Sequence, residues 1–308
     1  MNSILFTTIY SIIAVVIVFL FAIKKFGGQI QSLIGEKFKS LIEKSTDTPI
    51  KGVLVGTIIT SILQSSTAVS VLLVSLVESG IFPFTNSLGV IIGANIGTTI
   101  TSQLVALNLL NIAPFILIIG FLLMKIKHKY QHLGKPIFYF GLIFSCLFII
   151  SVMTSSFIEN GFLLSIISHT SNLFFAIFAG FVVSTVLQSS SITTGIIIIL
   201  ASQGILNLDQ AFGIILGTNI GTTTTAILAS LVTGKRGKRV ALAHFLFNFI
   251  GVLIFLPFVH IFSQFIKALP INIAWQVALA HLIFNVIIAS IFVIFFNQFN
   301  RLIHKIIQ

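Results

Sequence analysis

Runs of about 20 apolar residues, the length a helix needs to cross a bilayer, recur along this chain at 4–23, 86–110, 240–262 and 275–296, with 137–153 and 211–233 more often interrupted. The stretch 114–124 is short, and reaches across only with help from 111–113 or from snorkelling of Lys125 and Lys127. Two further segments, 52–78 and 173–203, are apolar at both ends and polar in the middle, at Gln64-Ser65-Ser66-Thr67 and Gln188-Ser189-Ser190-Ser191. Each flank of about 12 residues makes roughly 18 Å of helix, too little for a hydrocarbon core of about 30 Å. The pattern predicts an all-α integral membrane protein with about seven full spans and two re-entrant helical hairpins.

Charge placement favours hairpins over extra crossings. If 52–78 and 173–203 each enter and leave on one face, the N-terminus is outside and the C-terminus cytoplasmic. Sixteen of the 17 Lys and Arg then lie inside, in the segments 24–51 and 125–135, the 235–239 turn and the tail, and only Lys267 lies outside. If each segment crosses once, the 125–135 cluster lands outside, against the positive-inside rule. Composition agrees with burial in lipid. Hydrophobic residues are 56% of the chain and charged residues 7%, with a mean hydropathy of +1.15, which excludes a soluble enzyme, a disordered regulator and a disulfide scaffold. The net charge of +11 sits between hydrophobic runs and implies no nucleic-acid partner. The single Cys146 forms no intramolecular bridge, and the first apolar run has no Lys or Arg before it, unlike a removable signal peptide.

The chain also repeats itself. Aligning 56–106 on 180–230 at a constant offset of 124 gives 18 identities in 51 positions without a gap. Chance agreement in Ile- and Leu-rich sequence would not place Gln, Asn and Gly in register. Gln64, Ser65, Ser66, Asn95, Thr98, Thr99 and Thr101 recur as Gln188, Ser189, Ser190, Asn219, Thr222, Thr223 and Thr225. By the topology above the two copies enter from opposite faces, an inverted repeat of the kind found in many secondary transporters. The expected organisation is 1–51, first helix and linker; 52–136, repeat 1; 137–172, connecting helix and outer loop; 173–239, repeat 2; and 240–308, C-terminal helices and tail. A shorter echo places Ala-x-x-His-x-x-Phe-Asn at 241–248 and again at 278–285. His and Asn four apart share a helix face, and the pairs His244–Asn248 and His281–Asn285 are expected to hydrogen-bond across packed helices, with protonatable coupling sites as the alternative reading.

Polar interruptions at membrane depth are costly unless they line a cavity or are buried in protein. The hairpin tips fall near the midplane. In Gly-x-Asn-Ile-Gly-Thr-Thr at 93–99 and 217–223, paired glycines predict a second break in each repeat, so that helices 86–110 and 211–233 are broken and the half-helices beyond offer free N–H groups. Small residues could alternatively serve helix packing alone, but that explains Gln and Asn in register poorly. No Lys or Arg occurs between Lys51 and Lys125 or between Lys135 and Lys235. A multiply charged anion at these clusters therefore needs mobile cations, and neutral hydroxyl, amide and carbonyl oxygens suit sodium. Glu78, Glu159 and Asp209 fall at predicted membrane edges and offer proton coupling little support. A membrane enzyme using a cluster Ser lacks a neighbouring base in the sequence, and an uncoupled channel would show flux independent of sodium.

The paired Gln-Ser-Ser clusters, each followed by Gly-x-Asn-Ile-Gly-Thr-Thr, and the two Ala-x-x-His-x-x-Phe-Asn stretches resemble the sodium-dependent phosphate cotransporter family, the type II group with bacterial relatives, over about 50–290. The resemblance implies a plasma-membrane secondary transporter, not an enzyme, that moves inorganic phosphate with sodium as coupling ion and needs no other cofactor. It assigns Gln64, Ser65, Ser66, Gln188, Ser189 and Ser190 to phosphate, and Thr67, Asn95, Thr98, Thr99, Ser191, Asn219, Thr222 and Thr223 to sodium. Thr67 departs from the third Ser common in the family, and the chain ends at Gln308 without the soluble C-terminal domain that some bacterial relatives carry. A sodium- or proton-coupled carrier of another anion, such as sulfate, arsenate or a carboxylate, and a phosphate exporter are the alternatives on the same scaffold.

Overall fold

The computed structural model describes residues 3–34, 47–107, 109–126, 131–158 and 169–308. The described residues form fourteen α-helices, joined by short turns and two 3₁₀ segments, and contain no strand. In chain order they are α1 Ser3–Ile34, α2 Pro49–Leu63, α3 Ser66–Glu78, α4 Phe84–Ala106, α5 Ala113–Lys125, α6 Gln131–Ile158, α7 Leu173–Leu187, α8 Ser190–Ser202, α9 Leu208–Gly221, α10 Thr224–Ser230, α11 Lys235–Phe255, α12 Val259–Lys267, α13 Ile273–Ile294 and α14 Phe296–Ile306.

Among the described residues, six stretches are long and apolar enough to cross a membrane: Tyr10–Ile30, Phe84–Ala106, Gln131–Met153, Leu208–Ser230, Lys235–Lys267 and Ile273–Ile294. They correspond to six of the seven expected spans. The seventh, 114–124, is the 13-residue α5, about 20 Å of helix at 1.5 Å per residue. α5 packs along α6 where Gly120 and Gly141 leave no room for a side chain against the neighbouring backbone. The first span extends past its predicted end to Ile34, carrying Lys24 and Lys25 within the helix.

Both interrupted segments are helical hairpins with matching dimensions. α2 and α7 have 15 residues each, and α3 and α8 have 13 each. The two turns use the same backbone: Gln64 ends α2 at φ 53°, ψ 29°, and Gln188 ends α7 at φ 52°, ψ 29°.

The predicted break at 93–99 is absent. α4 is continuous from Phe84 to Ala106, and no glycine in it has positive φ. In the second copy the interruption is one turn at Thr222 and Thr223, whose dihedrals stay in the right-handed helical region. The glycines instead bring backbones together. A Cβ on Gly93 would stand 2.0 Å from the Val53 carbonyl oxygen, and one on Gly217 would stand 1.9 Å from that of Ile177. A Cβ on Gly56 would collide with the Val90 carbonyl oxygen, and one on Gly180 with that of Ile214, in the same way. Each contact recurs 124 residues on. The packing role of small residues therefore accounts for the glycines, which hold α2 on α4 and α7 on α9.

The hairpins open at different places. The Glu78 carboxylate, at the end of α3, accepts from Gly234 N (2.9 Å) and Gly237 N (2.8 Å). The basic run 235–239, expected as a turn, is the first turn of α11. Lys and Arg are unfavourable at the positive end of a helix dipole, and Glu78 offsets them there. At the other hairpin, Asp209 at the start of α9 pairs with Lys267 at the end of α12 (2.6 Å), and Gln210 donates to Thr170 Oγ1. Glu159 and the linker 35–46 lie outside the described residues.

Candidate functional site

Gln64 and Gln188 are the only described non-glycine residues with positive φ. A side chain in the left-handed region costs roughly 1–2 kcal/mol, and a strained residue of that kind is a pointer to function. At each tip the next residue caps the helix that leaves it: Ser65 Oγ accepts from Ala68 N (3.1 Å) and Ser189 Oγ from Ile192 N (3.4 Å). Each cap uses a lone pair of the hydroxyl and leaves its proton free to donate. The first-turn N–H groups of α3 and α8 have no partner within their own helices. The positive dipole ends that were expected at broken helices are thus found at the hairpin tips.

Thr101 on α4 joins the tips. Its hydroxyl lies 2.6 Å from Gln64 Oε1 and 3.2 Å from Ser191 Oγ. With one proton, it donates to the amide oxygen and accepts from the Ser191 hydroxyl. Thr67 Oγ1 donates to the Gln188 carbonyl (3.3 Å), tying the first tip directly to the second. Gln64 Nε2 donates to Ser61 O, so that side chain is held at both ends. The second copy differs. Thr225, the counterpart of Thr101, has a buried hydroxyl without a partner, and Gln188 is exposed.

Of the residues assigned to phosphate, Ser66 and Ser190 are buried in the first turns of α3 and α8, while Gln64, Ser65 and Ser189 are half-buried. Of those assigned to sodium, Thr67 and Ser191 belong to the tip network. The others turn inward on their own helices: Thr98 donates to Asn95 O, Thr99 to Ile96 O, Thr223 to Ile220 O, and Thr222 to carbonyls of Thr218 and Asn219. Asn95 donates to Ile91 O. Asn219 instead reaches α13, with its Nδ2 3.4 Å from Asn285 Oδ1 and its Oδ1 3.4 Å from His281 Nε2.

The histidines bond across helices as expected. Ser70 Oγ lies 3.1 Å from His244 Nδ1, and Ser102 Oγ lies 2.8 Å from His281 Nδ1. The two asparagines four residues on donate back to the histidine carbonyls. Because an amide Oδ1 only accepts, His281 Nε2 carries the proton toward Asn219 and Nδ1 accepts from Ser102. Thr101, Ser70 and Ser102 received no role from the sequence. The signal for Thr101 was present, since Thr101 and Thr225 recur in register.

A model of the Na+/Pi-cotransporter family matches the chain twice, over residues 18–154 and 153–306. The chain belongs to the Na+/Pi-cotransporter family. Within this family it is 32% identical over 262 residues to YqeW of Bacillus subtilis (strain 168), an uncharacterized protein, covering 84% of this chain and 85% of that one. It is 25% identical over 238 residues to YjbB of Escherichia coli (strain K12), provisionally named an inorganic phosphate export protein, covering 76% of this chain and 44% of YjbB. It is 33% identical over 156 residues to sodium-dependent phosphate transport protein 2A of Mus musculus, covering 43% of this chain and 24% of the mouse protein. The chain thus spans most of YqeW but less than half of YjbB. No solved structure matches the chain. Membership makes it a multi-pass membrane protein of a transporter family, and each half of the match contains one hairpin with its Gln-Ser-Ser tip.

Proposed function

We propose that this chain is a secondary active transporter that carries inorganic phosphate together with sodium across the plasma membrane, binding the anion between the two hairpin tips. The observation that carries the proposal is the Thr101 hydroxyl, which touches both Gln64 of one tip and Ser191 of the other. Two helix N-termini, α3 and α8, start at these tips and supply N–H donors and partial positive charge, about half a unit each. That charge is small beside a phosphate dianion. No Lys or Arg lies between Lys51 and Lys125 or between Lys135 and Lys235, so sodium is the natural source of the rest.

In this scheme Gln64, Ser65, Ser66, Gln188, Ser189 and Ser190 donate to phosphate oxygens. Thr67 and Ser191, whose hydroxyls border both tips, give oxygens to sodium, with Asn95, Thr98, Thr99, Thr222 and Thr223 completing the ion sites through lone pairs left after their bonds to helix carbonyls, and Asn219 through the Oδ1 lone pair that His281 does not use. Support for opposite insertion of the hairpins comes from their open ends. Glu78 touches the start of the span Lys235–Lys267, and Asp209 touches its last residue.

The test is phosphate uptake by purified protein in liposomes with sodium, potassium and pH gradients imposed separately. Uptake should follow the sodium gradient and be indifferent to the other two; uptake driven equally by potassium would overturn the coupling. Export is a second reading, favoured by the provisional name of YjbB. Liposomes loaded with phosphate distinguish it, because an exporter would release phosphate against an inward sodium gradient.

A further inference from the structure

A cavity of about 330 Å³ lies where α4, α6, α8 and the start of α13 meet, bordered by Val105, Ser151, Ile198, Ser202, Asn272 and Ala274. It adjoins the segment that follows Lys267, so it opens at the end of the molecule where Lys267 pairs with Asp209. Two serines and an asparagine give it hydroxyl and amide groups suited to a hydrated anion or sodium.

Three of these helices lead from the cavity to the tips. One turn inward from Val105 on α4 are Thr101 and Ser102. Inward from Ile198 on α8, Thr194 comes after one turn and Ser191 after two. Inward from Ala274 on α13, Ala278 comes after one turn and His281 after two. At 1.5 Å per residue these steps cover about 6–10 Å. The inward positions are bonded to each other: Thr101 to Ser191, Ser102 to His281, and Gln103 Nε2 to the Ala278 carbonyl at 2.9 Å. Three consecutive residues of one helix, which point in different directions 100° apart, thus fasten α4 to α8 and α13 beneath the cavity. Between the cavity and Ser191 lies Thr194, whose hydroxyl is buried and has no hydrogen-bond partner, an unused polar group on the direct line to the tip.

We infer that this cavity is the vestibule through which phosphate and sodium pass between the tips and the Asp209–Lys267 side of the membrane, and that Thr101, Ser102 and Gln103 are the latch closing its floor. The inference rests on the tips being the transport site. In the state described here the latch is shut. Opening breaks the Gln103–Ala278 and Ser102–His281 bonds, moves α13 away from α4, and exposes Thr194 to the vestibule.

Ser202→Cys and Thr194→Cys proteins, each reconstituted in liposomes, test this with a membrane-impermeant methanethiosulfonate reagent. Cys146 is buried, so the parent protein is the unlabelled control. The Ser202→Cys protein should react quickly and lose most of its sodium-driven phosphate uptake on modification. The Thr194→Cys protein should react slowly, and adding Gln103→Ala should speed it about tenfold, the population shift expected from losing one hydrogen bond. Full uptake after complete modification at 202, or an unchanged rate at 194 when Gln103 is replaced, would overturn the vestibule. If the folded, unmodified Ser202→Cys protein and the parent both fail to take up phosphate, the transport reading fails. The labelling rates at 194, which need no transport, then still judge the latch.

Discussion

The Gln64→Ala protein should fold and reach the membrane, yet lose sodium-driven phosphate flux by about a hundredfold, the effect of removing one or two hydrogen bonds to a charged ligand. Gln64 holds its place through Ser61 O and Thr101, and its backbone sits at φ 53°. A comparison with Gln64→Gly separates strain from chemistry. Glycine adopts this conformation at no steric cost, so the Gly variant should melt at a higher temperature than the Ala variant and be equally inactive. Thr101→Val, which removes the bridge to Ser191 while keeping shape, should fall in the same range of activity, and Thr101→Ser should restore most of it. Normal flux in the Gly variant would remove the Gln64 side chain from the site.

Gly93→Ala and Gly217→Ala should fail earlier, at folding. The new methyl groups would stand 2.0 Å from Val53 O and 1.9 Å from Ile177 O. Both obstacles are backbone of a packed helix, which cannot rotate aside as a side-chain end can. Overpacking of this sort costs about 1–3 kcal/mol or more, and here it would also part α2 from α4 or α7 from α9. The expected result is little or no monodisperse protein in size-exclusion chromatography after detergent extraction. Gly28→Ala is the control: nothing lies within 4 Å of its added Cβ, and alanine in a helix is favoured over glycine by about 1 kcal/mol. It should extract as well as the parent. Equal yields from all three would contradict the packing role assigned to the repeated glycines.

Much of the fold was legible because membrane spans are written in simple hydropathy, and because a polar cluster between two short apolar arms has few solutions in lipid. The hairpins at 52–78 and 173–203 were read correctly for that reason. The break at 93–99 was misread because glycine has two uses. It frees the backbone to unwind, and it lets another backbone come close. The sequence pattern is the same for both, and only the facing residues Val53 and Ile177 decide between them. The tip residues were found through the repeat, yet Thr101 was passed over. Its partners Gln64 and Ser191 lie 37 and 90 residues away, a relation that helix periodicity does not encode. The 235–239 run was read as a turn between two hydrophobic runs. It is the start of α11, where Glu78, 156 residues from Gly234 in sequence, accepts from the N–H groups of Gly234 and Gly237, a contact that local sequence does not show.

Ligand-induced thermal stabilisation of the purified protein tests most directly whether both tips hold one phosphate with sodium. A ligand that binds the folded state alone raises the melting temperature by mass action, by about 2.7 kcal/mol of stability at a hundredfold excess over Kd. Phosphate should raise it in sodium chloride and leave it unmoved in potassium chloride, and the rise should vanish in Gln64→Ala and in Gln188→Ala alike. A rise of the same size in potassium, or one that survives both substitutions together, would contradict the account.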